Sequence, residues 1–163
     1  MLYVVVSFFV DRGGVEPVEF DVFARDAGLR LQNALVARYG VELGADAAGD
    51  AMAYAWEHRH ELAAMSNPVG YLYRVAQSSV RRQHRWERRP LFPPETAPEI
   101  TASEPQLPAE LAHLRPDVRV AVVLVHGYGW TYSEVAMLLD VPVTTVRNHV
   151  HRGTARLRQA LES

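Results

Sequence analysis

The side chains with the clearest chemical meaning in this sequence are arginines. Six of them, Arg74, Arg81, Arg82, Arg85, Arg88 and Arg89, fall within residues 62–89 against a single acid, Glu87. If a helix follows Asn67, steps of about 100° per residue put Val69, Leu72, Ala76 and Val80 on one side and the arginines on the other. Such a guanidinium ladder suits phosphate oxygens. Trp86, at its edge, offers an aromatic plane on which an unpaired base can stack. A second set lies near the C-terminus. A helix with Val146, Val150, Gly153, Leu157 and Leu161 turned inward leaves Thr144, Arg147, Asn148, His151 and Arg152 outward, and arginine and asparagine are the side chains that read guanine and adenine edges. Both sets point to recognition of a nucleic acid.

Other chemistries are poorly served. The 163 residues contain no cysteine, which removes disulfides, thiolate zinc sites and cysteine nucleophiles together and suits a cytoplasmic protein. The histidine pairs His58/His60 and His149/His151 are spaced i, i+2, about 200° apart on a helix, so neither can chelate one metal. Asp46 and Asp50 share a helix face but have no nucleophile or phosphate-binding glycine loop nearby, which favours a protein contact over acid–base catalysis. No metal, cofactor or catalytic activity is expected. The longest apolar stretch, Met1 to Val10, is shorter than the roughly 17–25 residues that span a bilayer, so no membrane anchor is expected either.

The elements that must position these residues are helices. Hydrophobic residues at 48% and charged residues at 22% describe a globular chain. All 17 basic residues are arginine, and the net charge of −2 conceals an uneven distribution. The two cationic blocks, 62–89 and 141–163, alternate with acidic stretches. Six prolines between Pro90 and Pro108 mark a linker. Before it, the apolar residues Phe20, Phe23, Ala27, Leu31 and Ala34 predict a helix ending near Tyr39-Gly40. A second helix is expected from about Asp46 to His60 with Ala48, Ala51, Met52, Ala55 and Trp56 inward. A third, capped by Asn67 with Pro68 in its first turn, should reach about Arg89. After the linker, Pro116 opens a helix through Val118, Ala121, Val122 and Val125 to the Gly127-Tyr128-Gly129 break. Thr131 or Ser133 caps a short helix ending at Leu139, and the last helix runs from about Val143 to Leu161. The Val- and Phe-rich residues 1–10 fit a strand.

The short helix, the Asp140-Val141-Pro142 turn and the longer helix form a helix-turn-helix pattern. The stretch from Tyr128 to Arg158 resembles region 4 of bacterial sigma factors of the extracytoplasmic-function (ECF) group. Asn67-Pro-Val-Gly-Tyr-Leu-Tyr-Arg-Val-Ala76 and the arginine run resemble regions 2.3 and 2.4, and Asp46 to Trp56 resembles region 2.2. Gly49 and Asp50 stand where the family usually has glutamine and glutamate, and Gln77-Ser78 replaces its Arg-Asn pair.

This resemblance implies an all-α chain of two small helical domains: a region 2-like domain at 18–89 and a region 4-like helix-turn-helix domain at 107–163, joined by a Pro-rich linker at 90–106 and preceded by an extension of unassigned role at 1–17. It further implies that Asp46, Asp50 and Trp56 contact the β′ clamp of core RNA polymerase. Arg74, Arg81, Arg82, Arg85, Trp86, Arg88 and Arg89 would contact the minus-ten element, and Thr144, Thr145, Arg147, Asn148, His151 and Arg152 the minus-thirty-five element. The polymerase β subunit, through the C-terminal domain, and an anti-sigma factor would be further partners. Two alternatives share the pattern: a LuxR-like helix-turn-helix regulator, and a polymerase-docking protein without promoter activity.

Overall fold

A computed structural model of the chain describes residues 17–87 and 106–162, with the side chains of 17–19 and 84–87 left aside. The expected strand at 1–10, most of the linker, and Arg88 and Arg89 therefore lie outside the described residues. Every regular element among those described is helical.

Helix α1 (Pro17–Tyr39) buries the expected stripe, Phe20, Phe23, Ala27, Leu31 and Ala34, together with Leu35 and Ala37. Gly40, at φ 90°, turns the chain, and α2 (Val41–Glu57) starts at once. This start is five residues earlier than Asp46. The physical reason is Gly44: a Cβ there would sit 2.5 Å from the Val36 backbone nitrogen, so only glycine lets the two helices cross this closely. Small residues continue the contact, with Ala47, Ala48, Ala51 and Ala55 buried and Met52 partly so. Trp56 does not turn inward. It is 44% exposed, packing edge-on against Phe20 while Arg59 covers its ring.

The end expected at His60 is also corrected. The helix breaks at His58, whose ring stacks on Tyr54 at 3.9 Å, and a short α3 (Arg59–Ala63) follows. Helix α4 (Pro68–Glu87) begins as expected, the Asn67 Oδ1 accepting the Gly70 N–H at 3.0 Å.

The C-terminal half opens with α5 (Leu107–His113), which the sequence pattern did not reveal as a separate helix. Helix α6 (Pro116–Val122) then widens into a π turn, Val123–Gly127, ahead of the glycine break. Its buried residues are Arg119, Val120, Ala121, Val122 and Leu124, while the expected Val118 and Val125 are only partly buried against the core. Helices α7 (Tyr132–Leu139) and α8 (Val143–Leu161) complete the chain. Gly153 permits α8 to cross α6, since a Cβ there would lie 2.4 Å from the Val122 side chain.

The halves are not separate bodies in this structure. One apolar cluster runs through Leu31 and Leu35 of α1, Leu72 and Val80 of α4, Val120 and Leu124, and Val135 and Val146 of the helix-turn-helix. Helix α1 packs on α6 and α4 on α7. A smaller cluster of Leu114, Val122 and Leu157 holds α5 and α6 against α8.

Candidate nucleic-acid interface

The helix-turn-helix is built by local signals. Thr131 caps α7 in a reciprocal capping box: its hydroxyl accepts the Glu134 N–H at 3.2 Å, and its own N–H donates to Glu134 Oε2 at 2.8 Å. Of the two caps the sequence offered, the structure uses Thr131. Burial alone would raise the Glu134 carboxyl pKa, but hydrogen bonds from the Thr131 N–H and hydroxyl and from Arg30 outweigh it and hold the group below its ordinary value. Helix α7 ends on Asp140 in the left-handed conformation, φ 55°, a state that aspartate and asparagine tolerate better than most residues. The Val141 N–H returns to the Ala136 carbonyl, and Pro142 caps α8 by accepting from the Thr145 and Val146 N–H groups.

On α8 the wheel holds. Val146, Val150, Gly153 and Leu157 are buried, while Thr144, Arg147, Asn148, His151 and Arg152 are exposed and Thr145 is half-buried beside them. The Arg147 guanidinium lies 6.0 Å from the Tyr132 ring, at the outer limit of a cation–π contact, so α7 steadies a side chain on the exposed face of α8. An exposed helix beginning with threonines, arginine and asparagine fits base-edge contact in a major groove.

On α4, Leu72, Ala76 and Val80 are buried and Val69 partly so, leaving Arg74, Arg81 and Arg82 exposed as expected. The Arg85 and Trp86 side chains are not among those described. Arg74 is engaged within the chain, its Nη1 lying 3.0 Å from Asp140 Oδ2. The outer stripe of α2 carries Asp46, Gly49, Asp50, Ala53, Trp56 and Glu57, all exposed. It places the three expected polymerase-binding residues on one surface.

The pattern missed the residues that join the halves. Arg119 on α6 is 4% exposed and donates to four carbonyls: Ala37 at 2.9 Å, Arg38 at 2.6 Å, Ala112 at 3.1 Å and Leu114 at 3.3 Å. Two of these are end carbonyls of α1, which the guanidinium caps from the other half of the chain. Burial, then the nearby charge of Arg38, lowers the Arg119 pKa. Arg38 pairs with Asp117 beside the buried Tyr73, whose hydroxyl burial pushes well above the phenol range. Burial opposes the Arg38 charge, but Tyr73, Asp117 and Tyr39 more than offset it and raise its pKa. Arg30 bonds Glu134 at 3.1 Å and lies over the Trp130 ring at 4.3 Å. Asn67 Nδ2 donates to the Met137 carbonyl. No group of side chains suited to hold a metal occurs among the described residues, and no described helix is long and apolar enough to cross a membrane.

Residues 106–157, which contain the capped helix-turn-helix, match the family described as Sigma-70, region 4. Over 109 residues the chain is 33% identical to the ECF RNA polymerase sigma factor SigE of Mycolicibacterium smegmatis. Both likenesses are to sigma factors. The alignment with SigE takes in 56% of this chain and 42% of SigE, so the chain spans less than half the length of that curated relative. Among solved structures, the sigma factor RpoE of Bartonella quintana, determined in complex with the anti-sigma factor NepR, superposes with a TM-score of 0.66 over 88% of this chain and 97% of that one. At 19% identity the likeness is one of fold. It extends the likeness of fold to the helices before residue 106.

Proposed function

We propose that this chain binds core RNA polymerase in the cytoplasm and directs it to promoters, with α4 at the minus-ten element and α8 at the minus-thirty-five element. The observation that carries this reading is the capped helix-turn-helix inside the region 4 match, with its polar and basic face outward. The exposed acidic and aromatic stripe of α2 supports docking on the β′ clamp, and the C-terminal helices would meet the β subunit. The reading divides the chain into a region 2-like part, 18–89, and a region 4-like part, 107–163. The polymerase supplies the chemistry, and an anti-sigma factor is included among the partners. Each basic block offers only a handful of phosphate contacts, so specific binding needs both blocks on one complex.

Reconstitution with core polymerase on a promoter library tests this. Sequence-dependent initiation only in the presence of the chain is the expected result. Nanomolar sequence-specific binding by the free chain at physiological salt would instead assign an autonomous regulator. Binding to polymerase without initiation on any promoter would assign a docking protein.

A further inference from the structure

Helix α1 carries two stripes. The inward one, Phe20, Phe23, Ala27, Leu31 and Ala34, packs into the core. The outward one is Val22, Arg25, Asp26 and Leu29, spaced i, i+3, i+4, i+7, so the four side chains share one face of the helix. Val22 is 59% and Leu29 61% exposed, more than any other large apolar side chain described. Arg25 and Asp26 stand exposed between them, and neither has an ion-pair partner among the described residues. A single exposed leucine is ordinary on a protein surface, but the order apolar, positive, negative, apolar along one face is not.

That order is self-complementary. A two-fold axis set across the helix midway between residues 25 and 26 brings Val22 of one copy against Leu29 of a second, and Arg25 against Asp26. The same axis repeats both contacts with the roles exchanged. At the spacing of about 8–10 Å between packed helices, all four contacts form together. Two copies running parallel in register would instead set Arg25 on Arg25 and Asp26 on Asp26, which like charges oppose. The charges therefore select the antiparallel direction and its register, and the apolar pairs supply the burial.

We propose that this face is a homodimer interface, in which α1 packs antiparallel on α1 of a second copy through Val22, Arg25, Asp26 and Leu29. A face two turns long belongs with the small interfaces, below about 1,200 Å², so the dimer forms and dissociates readily. It shares no residue with Asp46, Asp50 and Trp56 of α2, with the arginines of α4 or with the outer side of α8. The proposal therefore does not rest on the functional reading above.

Sedimentation equilibrium of the full chain, from low micromolar to submillimolar concentration, tests it. The parent should show a reversible equilibrium between monomer and dimer. Leu29→Ser should weaken association about tenfold or more. Arg25→Asp and Asp26→Arg each set like charges together on both sides of the axis and should weaken it as well. The double exchange Arg25→Asp with Asp26→Arg remakes the pairs in reverse and should return association to near the parent's. All three positions are exposed, so helix content by circular dichroism should not change. A parent that stays monomeric throughout overturns the proposal, whether the face is then bare or covered by other residues of the chain. So does a dimer indifferent to Leu29→Ser, which must be held together elsewhere. A double exchange that fails to recover what each single exchange loses overturns the register.

The lack of cysteine allows a second measurement. A nitroxide on Gln32→Cys, an exposed position beside the face, reports the direction of pairing. In the antiparallel dimer the two attachment points lie about 20 Å apart along the helices, whereas in a parallel one they face each other across about 10 Å. A spin–spin distance in the longer range is expected, and the shorter one overturns the proposal.

Discussion

At the scale of single residues, the two proposed DNA-contacting surfaces differ in what they ask of a side chain. Arg147 and Asn148 stand exposed early on α8, with Arg147 steadied by Tyr132. Replacing either with alanine should relax preference at particular bases and cost about 1–3 kcal/mol per lost bidentate contact. Arg82→Ala on the α4 ladder should weaken complexes more uniformly across sequences and flatten the salt dependence by about one phosphate. Measuring promoter-variant affinities and salt slopes on the same mutants checks both, and identical profiles would contradict the division of labour. Glu134 gives a pH prediction. Its folded pKa is depressed, so its stabilising contribution is complete above the ordinary value of 4.5 and fades as pH falls below it through the folded value. Glu134→Gln should therefore flatten the acid limb of a thermal-stability profile and leave the neutral side comparatively unchanged in shape. The outward and inward sets on α8 and α4 were legible because they depend only on helical period. Arg119 was not: its partners are backbone carbonyls, two of them more than 80 positions away, and a lone arginine in an apolar helix carries no local sign of them.

At the scale of elements, the helices themselves were legible and their boundaries less so. Asn67-Pro68 and Thr131 with Glu134 announce helix starts by side-chain chemistry, and the structure honours both. Helix α2 starts with no side-chain cap at all, and α5 and α3 are too short to show a period. Glycines separate the cases further. Gly49 is exposed in the middle of α2 with open space around an added Cβ, so Gly49→Ala should stabilise the chain by about 1 kcal/mol. Gly44→Ala should do the opposite despite the same change in helix propensity, because its Cβ would meet the α1 backbone. Chemical denaturation of the two variants side by side checks this, and a shared direction would contradict the close crossing. If α2 docks on core polymerase as proposed, Gly49→Gln, which places at this exposed position the glutamine usual in the factors the chain resembles, should bind core polymerase at least as well as the parent.

At the scale of the whole molecule, the two-part organisation was visible in composition, since cationic blocks and a proline-rich interval divide the chain. The joining of the parts was not, because it arises from shape and from contacts between distant residues. Leu31, Leu35, Val120, Leu124 and Val135 share one cluster, so stability is common to both halves. Leu35→Ala, fully buried in α1, should cost about 2–5 kcal/mol. It should lower the melting of α6 and α8 along with that of α1, which residue-resolved hydrogen exchange can follow. Loss of protection confined to the N-terminal helices would show that the halves unfold independently.

The capping of α1 by Arg119 also sets an order on the ribosome. Translation at about 5–20 residues per second leaves an interval of several seconds between emergence of Ala37 and Arg38 and emergence of the guanidinium that fills their carbonyls. During that interval the nascent chain presents the end of α1 to water and to whatever waits at the exit tunnel. Slowing elongation by rare codons between residues 90 and 106 lengthens this window without altering a single amino acid. The yield of correctly folded chain should then fall as the pause grows, and it should fall less when an early chaperone is supplied.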